Sequence, residues 1–183
     1  MIACIGWGSL IWDKRSLDVD GRWRADGPTL PVEFGRQSSD GRITLVIVQG
    51  FASVPTLWSV FNTCDLAEAR ESLRQREGVP RSRADDLIAE WHRAENPVSE
   101  PDATISAWAA AKDLEAAVWT NLGSSFGGTN GRTPTECEVV GYLRALEGEA
   151  RTAAEEYVRR APRQINTAYR RAIEKALGWT PVD

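Results

Sequence analysis

Short apolar runs separated by polar, glycine-containing segments occupy the first third of the chain and predict β-strands. Residues 1–6 form an apolar run ended by glycine, which predicts a buried strand at the start of a sheet. Residues 29–36 and 42–48 flank Ser38-Ser39-Asp40-Gly41, a pattern that predicts a β-hairpin. A third run, residues 56–61, is expected to extend the same sheet.

A change to helical periodicity follows at Asp65. Glu68 stands three residues further on, so the pair is expected to form a capping box at the start of a helix. The helix is expected to run to about Arg76 and to stop at Gly78. Apolar positions on one face of this helix continue to Glu77, which predicts that this carboxylate points toward the core.

The remainder of the chain is predicted to alternate between short elements and then to become helical. Residues 82–95 are interpreted as a charged helical insertion, 94–101 as a loop, 103–111 as a helix and 114–122 as a strand. The Gly/Ser segment 123–128 is either a mobile lid or a surface connector.

Beyond Pro134 the pattern predicts helices. One stripe consists of Cys137, Val140, Leu143 and Leu146. A second helix is expected to begin near Thr152, with Glu155 completing a capping box. A last helix is expected to follow Pro162 and to end at Gly178.

The composition is that of a globular protein. The chain has 183 residues, of which 42% are hydrophobic and 26% charged, enough to bury a core and too apolar for disorder over most of its length. We expect an α+β fold in a single domain, 1–183, with the charged insertion at about 80–101 and a helical C-terminal region at about 133–178.

Charge and hydropathy limit the partners. The formal net charge is -4 and no long block of one sign occurs, so nucleic acid is not expected as a partner. The N-terminus has no basic segment followed by an apolar stretch, and no membrane partner is expected. We therefore expect a cytoplasmic protein that is mature from Met1.

The cysteine and histidine content argues against several kinds of site. Cys4, Cys64 and Cys137 stand alone and His92 is the single histidine, so neither a Cys/His zinc site nor a disulfide framework is expected. A nucleophilic triad could form only around His92, which we interpret as a solvated side chain in a helix.

The segment Gly6-Trp7-Gly8-Ser9-Leu10 is the first candidate for chemistry. It lies where the first strand passes into a loop, so its backbone N–H groups could converge on a carboxylate or a developing oxyanion. Its two glycines would allow close approach and a positive φ. The alternative is a tight turn that only leads out of the strand.

Glu77 is the second candidate. A carboxylate that faces the core at a helix C-terminus is desolvated and meets the negative end of the helix dipole. Such a position suits a group that takes a proton and returns it. The alternatives are an ion pair with Arg36, Arg70 or Arg76, or an exposed helix end.

Together these two features resemble the gamma-glutamylcyclotransferase-like superfamily. Its members carry a Tyr-Gly-Ser motif after the first strand, and the bacterial ChaC type is similar to the run Trp7-Gly8-Ser9-Leu10-Ile11-Trp12, with Trp7 in place of the tyrosine. The catalytic glutamate of the family lies in a helix-end motif similar to Glu77-Gly78-Val79. The run 31–47 also resembles the family's arginine-containing strand, serine turn and next strand.

The resemblance implies a small mixed or antiparallel β-barrel with flanking helices and a helical C-terminal tail. It implies an enzyme that releases 5-oxoproline from a gamma-glutamyl peptide or amine, with Glu77 as general acid and base and with no metal or cofactor. Substrate contacts are expected from the following residues: Gly6, Trp7, Gly8, Ser9, Leu10, Arg36, Ser38 and Asn121. An ordinary turn or ion-pair role is the alternative for the last three.

A non-catalytic module is the competing hypothesis. The same barrel could bind a small carboxylate or a protein partner, and an exposed cluster among the eight tryptophans could form the interface. The C-terminal helices could also pair two copies of the chain as a homodimer under either hypothesis.

Overall fold

The chain has an α+β fold with two four-stranded mixed sheets, one two-stranded sheet and six α-helices within the residues that a computed structural model describes, 1–94, 99 and 101–182. The strands are β1 (Ile2–Gly6), β2 (Thr29–Leu30), β3 (Val32–Gln37), β4 (Ile43–Ile47), β5 (Val54–Pro55), β6 (Leu57–Val60), β7 (Ile88–His92), β8 (Ala116–Thr120), β9 (Ser125–Phe126) and β10 (Thr129–Asn130). The helices are α1 (Leu66–Glu77), α2 (Ala84–Leu87), α3 (Asp102–Ala111), α4 (Glu136–Ala145), α5 (Gly148–Arg160) and α6 (Ala168–Leu177).

The chain divides into two compact units. The first unit consists of Met1–Gly6, Asp13–Leu30 and Pro55–Leu122, and the second of Trp7–Trp12, Pro31–Val54 and Gly123–Asp183. The expectation of a single domain over 1–183 stays a prediction.

The sheet of the first unit has the strand order β6-β1-β8-β7. Strand β1 is buried along its whole length and pairs antiparallel with β6 and parallel with β8. One sheet was expected to hold the first strand, the hairpin and residues 56–61. Strand β6 does join the sheet of β1, with Ala3 opposite Val60 and Gly6 opposite Leu57, whereas the hairpin lies in the other four-stranded sheet.

The sheet of the second unit has the strand order β10-β9-β3-β4. The predicted hairpin is confirmed, since β3 and β4 are antiparallel and Val32 lies opposite Ile47. Gly41 closes the turn with a φ of 84°, which is the left-handed region that favours glycine. Among the described strands neither sheet closes on itself, so the expected barrel stays a prediction.

Helix α1 begins and ends close to the predicted positions. Asp65 accepts hydrogen bonds from the amides of Ala67 and Glu68, and Gly78 ends the helix in the left-handed conformation. The predicted capping box forms only in part, because the Glu68 carboxylate accepts from the Thr63 hydroxyl.

The predicted helical insertion over residues 82–95 was wrong in its second half. A 3-10 turn (Arg81–Arg83) and the short α2 are followed by β7, which pairs antiparallel with β8. Ile88 and Trp91 are buried in this strand, so pairing and burial outweigh its charged composition. His92 is exposed as expected, but it lies in the strand. Of the predicted loop 94–101, residues 95–98 and 100 lie outside the described residues.

The segment 123–128 contains a short β-strand and is therefore not a simple connector. It contains β9, which pairs in parallel with β3 and antiparallel with β10. The pairing of Arg36 with Ser125 therefore attaches this segment to the sheet of the second unit.

The C-terminal helices are confirmed, but two details were wrong. The capping box belongs to α4, where Thr135 and Glu138 bond each other's backbone amides, whereas α5 begins at Gly148, before Thr152. Cys137 is exposed, and Val139 occupies the buried stripe with Leu143.

A buried carboxylate joins β3 to α6 within the second unit. Glu33 is 2% exposed and accepts hydrogen bonds from the amides of Phe34 and Tyr169 and from the hydroxyl of Thr167, the N-cap of α6. Burial raises the pKa of the Glu33 carboxyl, and these hydrogen bonds oppose the rise.

A buried guanidinium joins α6 to the end of α5. Arg170 is 1% exposed and donates to the carbonyl oxygens of Pro162 at 2.6 Å, Ala161 at 2.7 Å and Ile165 at 3.1 Å, and to the carboxylate of Glu174. These bonds satisfy carbonyls where α5 ends and the chain turns into α6.

None of the helices within the described ranges combines the length and the apolar character needed to cross a bilayer.

Substitution of Arg170 tests the contribution of this guanidinium. Arg170→Lys should lower the free energy of unfolding by about 3 kcal/mol, because one ammonium cannot reach the same set of carbonyls. Urea unfolding measures the change. Arg171→Lys is the matched control on the same helix, since Arg171 is exposed, and it should change stability by less than about 0.5 kcal/mol. Equal losses in the two variants would contradict the role of Arg170.

The stabilising effect of Glu33 should depend on pH. Because its folded pKa is raised above an unfolded value of about 4.3, its contribution is fully present below that pH and is lost as the pH rises through the folded pKa. Urea unfolding of the wild type and of Glu33→Gln, measured from about pH 4 to about pH 7, gives the difference. The wild-type advantage should fall with rising pH, and an advantage that grows would contradict the assignment.

Candidate functional site

The segment after β1 forms a turn. The Ile11 amide donates to the Gly8 carbonyl at 3.1 Å, which closes a turn over Ser9 and Leu10. Trp7, Gly8 and Leu10 are buried, and Ser9 is half-buried. The turn that the sequence analysis left open as an alternative is therefore present.

The backbone of one residue of β4, Leu45, holds this turn within the second unit. The Trp7 indole N–H donates to the Leu45 carbonyl at 3.1 Å, and the Leu45 amide donates to the Tyr157 hydroxyl at 3.2 Å. Strand β4 is at the edge of its sheet, so these groups satisfy backbone atoms that no neighbouring strand pairs.

Gly8 is adjacent to the same hydroxyl. A Cβ atom at position 8 would lie 2.5 Å from the Tyr157 hydroxyl oxygen and 3.5 Å from the ring carbon that bears it. Of the two properties that glycine would allow here, a positive φ is not used, because neither Gly6 nor Gly8 is in the left-handed region. Because Gly8 has no side chain, the Tyr157 hydroxyl can approach its backbone closely.

Sequence reasoning did not select Tyr157. It lies in α5 with Ala154 and Val158 on the buried face, so helical periodicity could have placed it in the core. Periodicity could not have shown that its hydroxyl reaches Gly8, which is remote in the sequence.

Glu77 is the last residue of α1 and is held by its neighbour. Arg76 Nη1 donates to Glu77 Oε1 at 2.6 Å, and the two side chains are 4% and 16% exposed. Arg76 also donates to the Asp13 carbonyl through Nε at 3.1 Å and Nη2 at 2.7 Å. Of the ion pairs left open for Glu77, the one with Arg76 is formed.

The Glu77 carboxylate is close to β1. Burial raises the pKa of the Cys4 thiol, and the negative charge of Glu77 adds to the rise. Cys4 lies two residues before Gly6, the end of the strand. The first unit therefore places this carboxylate beside the strand that leads into the turn.

Arg36 and Ser38 occupy the end of β3 and the hairpin turn. Arg36 Nη1 donates to the Gly123 carbonyl at 2.8 Å. The Ser38 hydroxyl oxygen lies within hydrogen-bond distance of the Asp40 carboxylate and of the Arg42 carbonyl, the two acceptors open to its one hydrogen. Both residues thus have the turn and strand-end contacts that were the alternative to substrate binding.

Asn121 lies just after β8 in the first unit. It is exposed, its amide N–H donates to the Leu87 carbonyl at 2.8 Å and its side chain donates to the Asp86 carbonyl at 3.2 Å. These contacts attach the end of β8 to α2.

The predicted site residues are divided between the units. Gly6, Glu77 and Asn121 belong to the first, and Trp7, Gly8, Ser9, Leu10, Arg36 and Ser38 belong to the second. That Glu77 and the Gly8-Ser9 amides line one cavity stays a prediction.

Metal-ligating side chains do not cluster in the part of the chain that the structure describes. No group of three or more His, Cys, Asp or Glu residues there could hold an ion. The three cysteines are free, with Cys4 buried and Cys64 and Cys137 exposed.

Comparison of the chain with family models, with curated proteins and with solved structures finds no match. The resemblance to the gamma-glutamylcyclotransferase-like superfamily therefore depends on the quoted motifs alone.

The ion pair at the end of α1 should contribute to stability. Glu77→Gln should lower the free energy of unfolding by about 1–2 kcal/mol, because it removes the carboxylate that is paired with the buried Arg76 guanidinium. Urea unfolding measures the loss. Glu149→Gln removes the same charge from an exposed position and should cost less than about 0.5 kcal/mol. Equal unfolding midpoints for these variants would show that the pair contributes nothing.

Proposed function

We propose that this chain is an enzyme of the gamma-glutamylcyclotransferase type. It releases 5-oxoproline from a gamma-glutamyl peptide or amine, and its strands belong to the small barrel of that superfamily. Glu77 is its general acid and base, and the backbone N–H groups at Gly8 and Ser9 bind the substrate carboxylate or the oxyanion.

The half-buried Glu77 carboxylate beside β1 is the observation that carries the proposal. The side chain is 16% exposed, and its charge acts on Cys4, close to the point where β1 passes into the turn. A carboxylate largely removed from bulk water suits proton transfer, and backbone donors such as those of the Gly8-Ser9 turn suit an oxyanion.

The reaction moves two protons off the attacking nitrogen, and Glu77 carries one of them. The substrate α-ammonium gives a proton to the Glu77 carboxylate, and the free amine then attacks the γ-carbonyl carbon. A C–N bond forms and closes the five-membered ring, and the nitrogen releases its second proton to water. Glu77 returns its proton to the leaving nitrogen as the original C–N bond breaks, which gives 5-oxoproline, the free amine and one proton in solution.

The ion pair with Arg76 supports the proposal because it holds the Glu77 carboxylate in one orientation. Arg76 is itself fixed by two bonds to the Asp13 carbonyl and holds Glu77 Oε1 at 2.6 Å. A catalytic acid or base must be held in one orientation to reach the reacting nitrogen. Arg36, Ser38 and Asn121 are proposed as weaker substrate contacts.

The same ion pair also favours a second candidate, a non-catalytic module that binds a small carboxylate or a protein partner. In that case Glu77 would only stabilise the end of α1. A protein interface made of tryptophans has less support, because all eight are buried or half-buried.

Purified protein should release 5-oxoproline from glutathione or from a gamma-glutamylamine, and Glu77→Gln should lower the rate by at least about 100-fold. Chromatography with mass detection measures the product. The assay is run in conditions where circular dichroism shows that the variant is folded, and Glu149→Gln is the control of equal charge.

Two outcomes would overturn the proposal. Full activity of Glu77→Gln would remove the role of this residue. Binding of gamma-glutamyl compounds without turnover, seen in tryptophan fluorescence, would identify the module.

A further inference from the structure

The Tyr157 hydroxyl is fixed by its surroundings in the second unit. Its oxygen accepts from the Leu45 amide at 3.2 Å, and the residue is 5% exposed. The ring packs edge-on against Trp12 and Phe34, with centroids 5.5 and 6.4 Å away, and the Arg42 guanidinium lies 5.5 Å from its centroid. A ring enclosed on several sides cannot move away from its neighbours without disturbing them.

Gly8 lies against this fixed hydroxyl. The 2.5 Å between the oxygen and a Cβ at position 8 is shorter than any normal contact, so no residue with a side chain fits while the hydroxyl is present. The distance to the ring carbon, 3.5 Å, is an ordinary contact. Removal of the hydroxyl alone would therefore make room for a methyl group.

The turn is held through both backbone groups of Leu45. Trp7 bonds the Leu45 carbonyl and Tyr157 bonds the Leu45 amide, so the residue before Gly8 and the group that contacts Gly8 share one anchor on β4. The position of the Gly8-Ser9 backbone therefore depends on Tyr157.

We infer that Tyr157 is a positioning residue for the Gly8-Ser9 turn. Its hydroxyl determines where the backbone N–H groups of that turn lie, and positions 8 and 157 are coupled through it. The effect on catalysis depends on the proposed function, whereas the coupling itself does not.

A double-mutant cycle tests the inference. Gly8→Ala should lower the urea midpoint by about 1 M, because the methyl group meets the hydroxyl. In the Tyr157→Phe background the same change should cost little. Gly141→Ala is the matched control, since a Cβ there meets nothing within 4 Å and its φ is not positive.

Activity gives the second arm of the cycle. Gly8→Ala should lower kcat/KM for 5-oxoproline release by about 100-fold through displacement of the turn. The double variant should return to within about threefold of Tyr157→Phe alone. Recovery of stability without recovery of activity would overturn the positioning role.

Amide signals give a readout that needs no substrate. In ¹H–¹⁵N spectra, Tyr157→Phe should shift the Gly8 and Ser9 signals. Tyr142→Phe, which removes a hydroxyl bound to the Gly41 carbonyl in the same unit, should leave them in place.

The outcomes separate the two proposals. If the wild type releases no 5-oxoproline, the proposed function fails, and the unfolding cycle and amide shifts still decide the inference. Tolerance of Gly8→Ala in the wild type, an equal loss in both backgrounds, or unmoved amide signals would overturn the inference whatever the activity.

Discussion

The backbone of Leu45 accepts a hydrogen bond from Trp7 at its carbonyl and donates one to Tyr157 from its amide, and these two bonds hold the turn after β1 in the second unit. An edge strand has backbone groups that no neighbouring strand pairs, and such groups must find other partners when they are buried. Here an indole from the turn and a phenol from α5 supply them. The same phenol then approaches Gly8 so closely that a side chain is excluded there.

Buried charged side chains, like buried backbone groups, have hydrogen-bond partners in both units. Arg170 reaches carbonyls where α5 ends, Glu33 caps α6, and Arg76 joins Glu77 to the Asp13 carbonyl. Loss of a partner at any of these positions would lower the free energy of unfolding, since removal of the charge from water is then less well compensated. For Glu77 this means that a structural role and a catalytic role are compatible. The arginine that stabilises the carboxylate also fixes its orientation.

Local patterns determined much of the secondary structure but not the strand pairing. The hairpin of β3 and β4 and the ends of α1 at Asp65 and Gly78 were predicted correctly, because turn residues and helix caps act within a few positions of the chain. Strand β7 was mistaken for a helix, since its charged composition is local whereas its pairing with β8 is not. The pairing of β6 with β1 was missed for the same reason.

The sequence by itself determined that a strand leads into a glycine-containing turn and that a helix ends at Glu77 and Gly78, because apolar runs, capping residues and glycine act locally. Only the tertiary structure decided that Trp7 and Tyr157 both bond the backbone of Leu45, and that Arg76 is the partner of Glu77 among the arginines considered. Contacts between residues far apart in the chain depend on packing, and many packings satisfy one hydrophobic pattern. The reason for glycine at position 8 also became visible only in the tertiary structure, because the residue that contacts it, Tyr157, lies in a helix far along the chain.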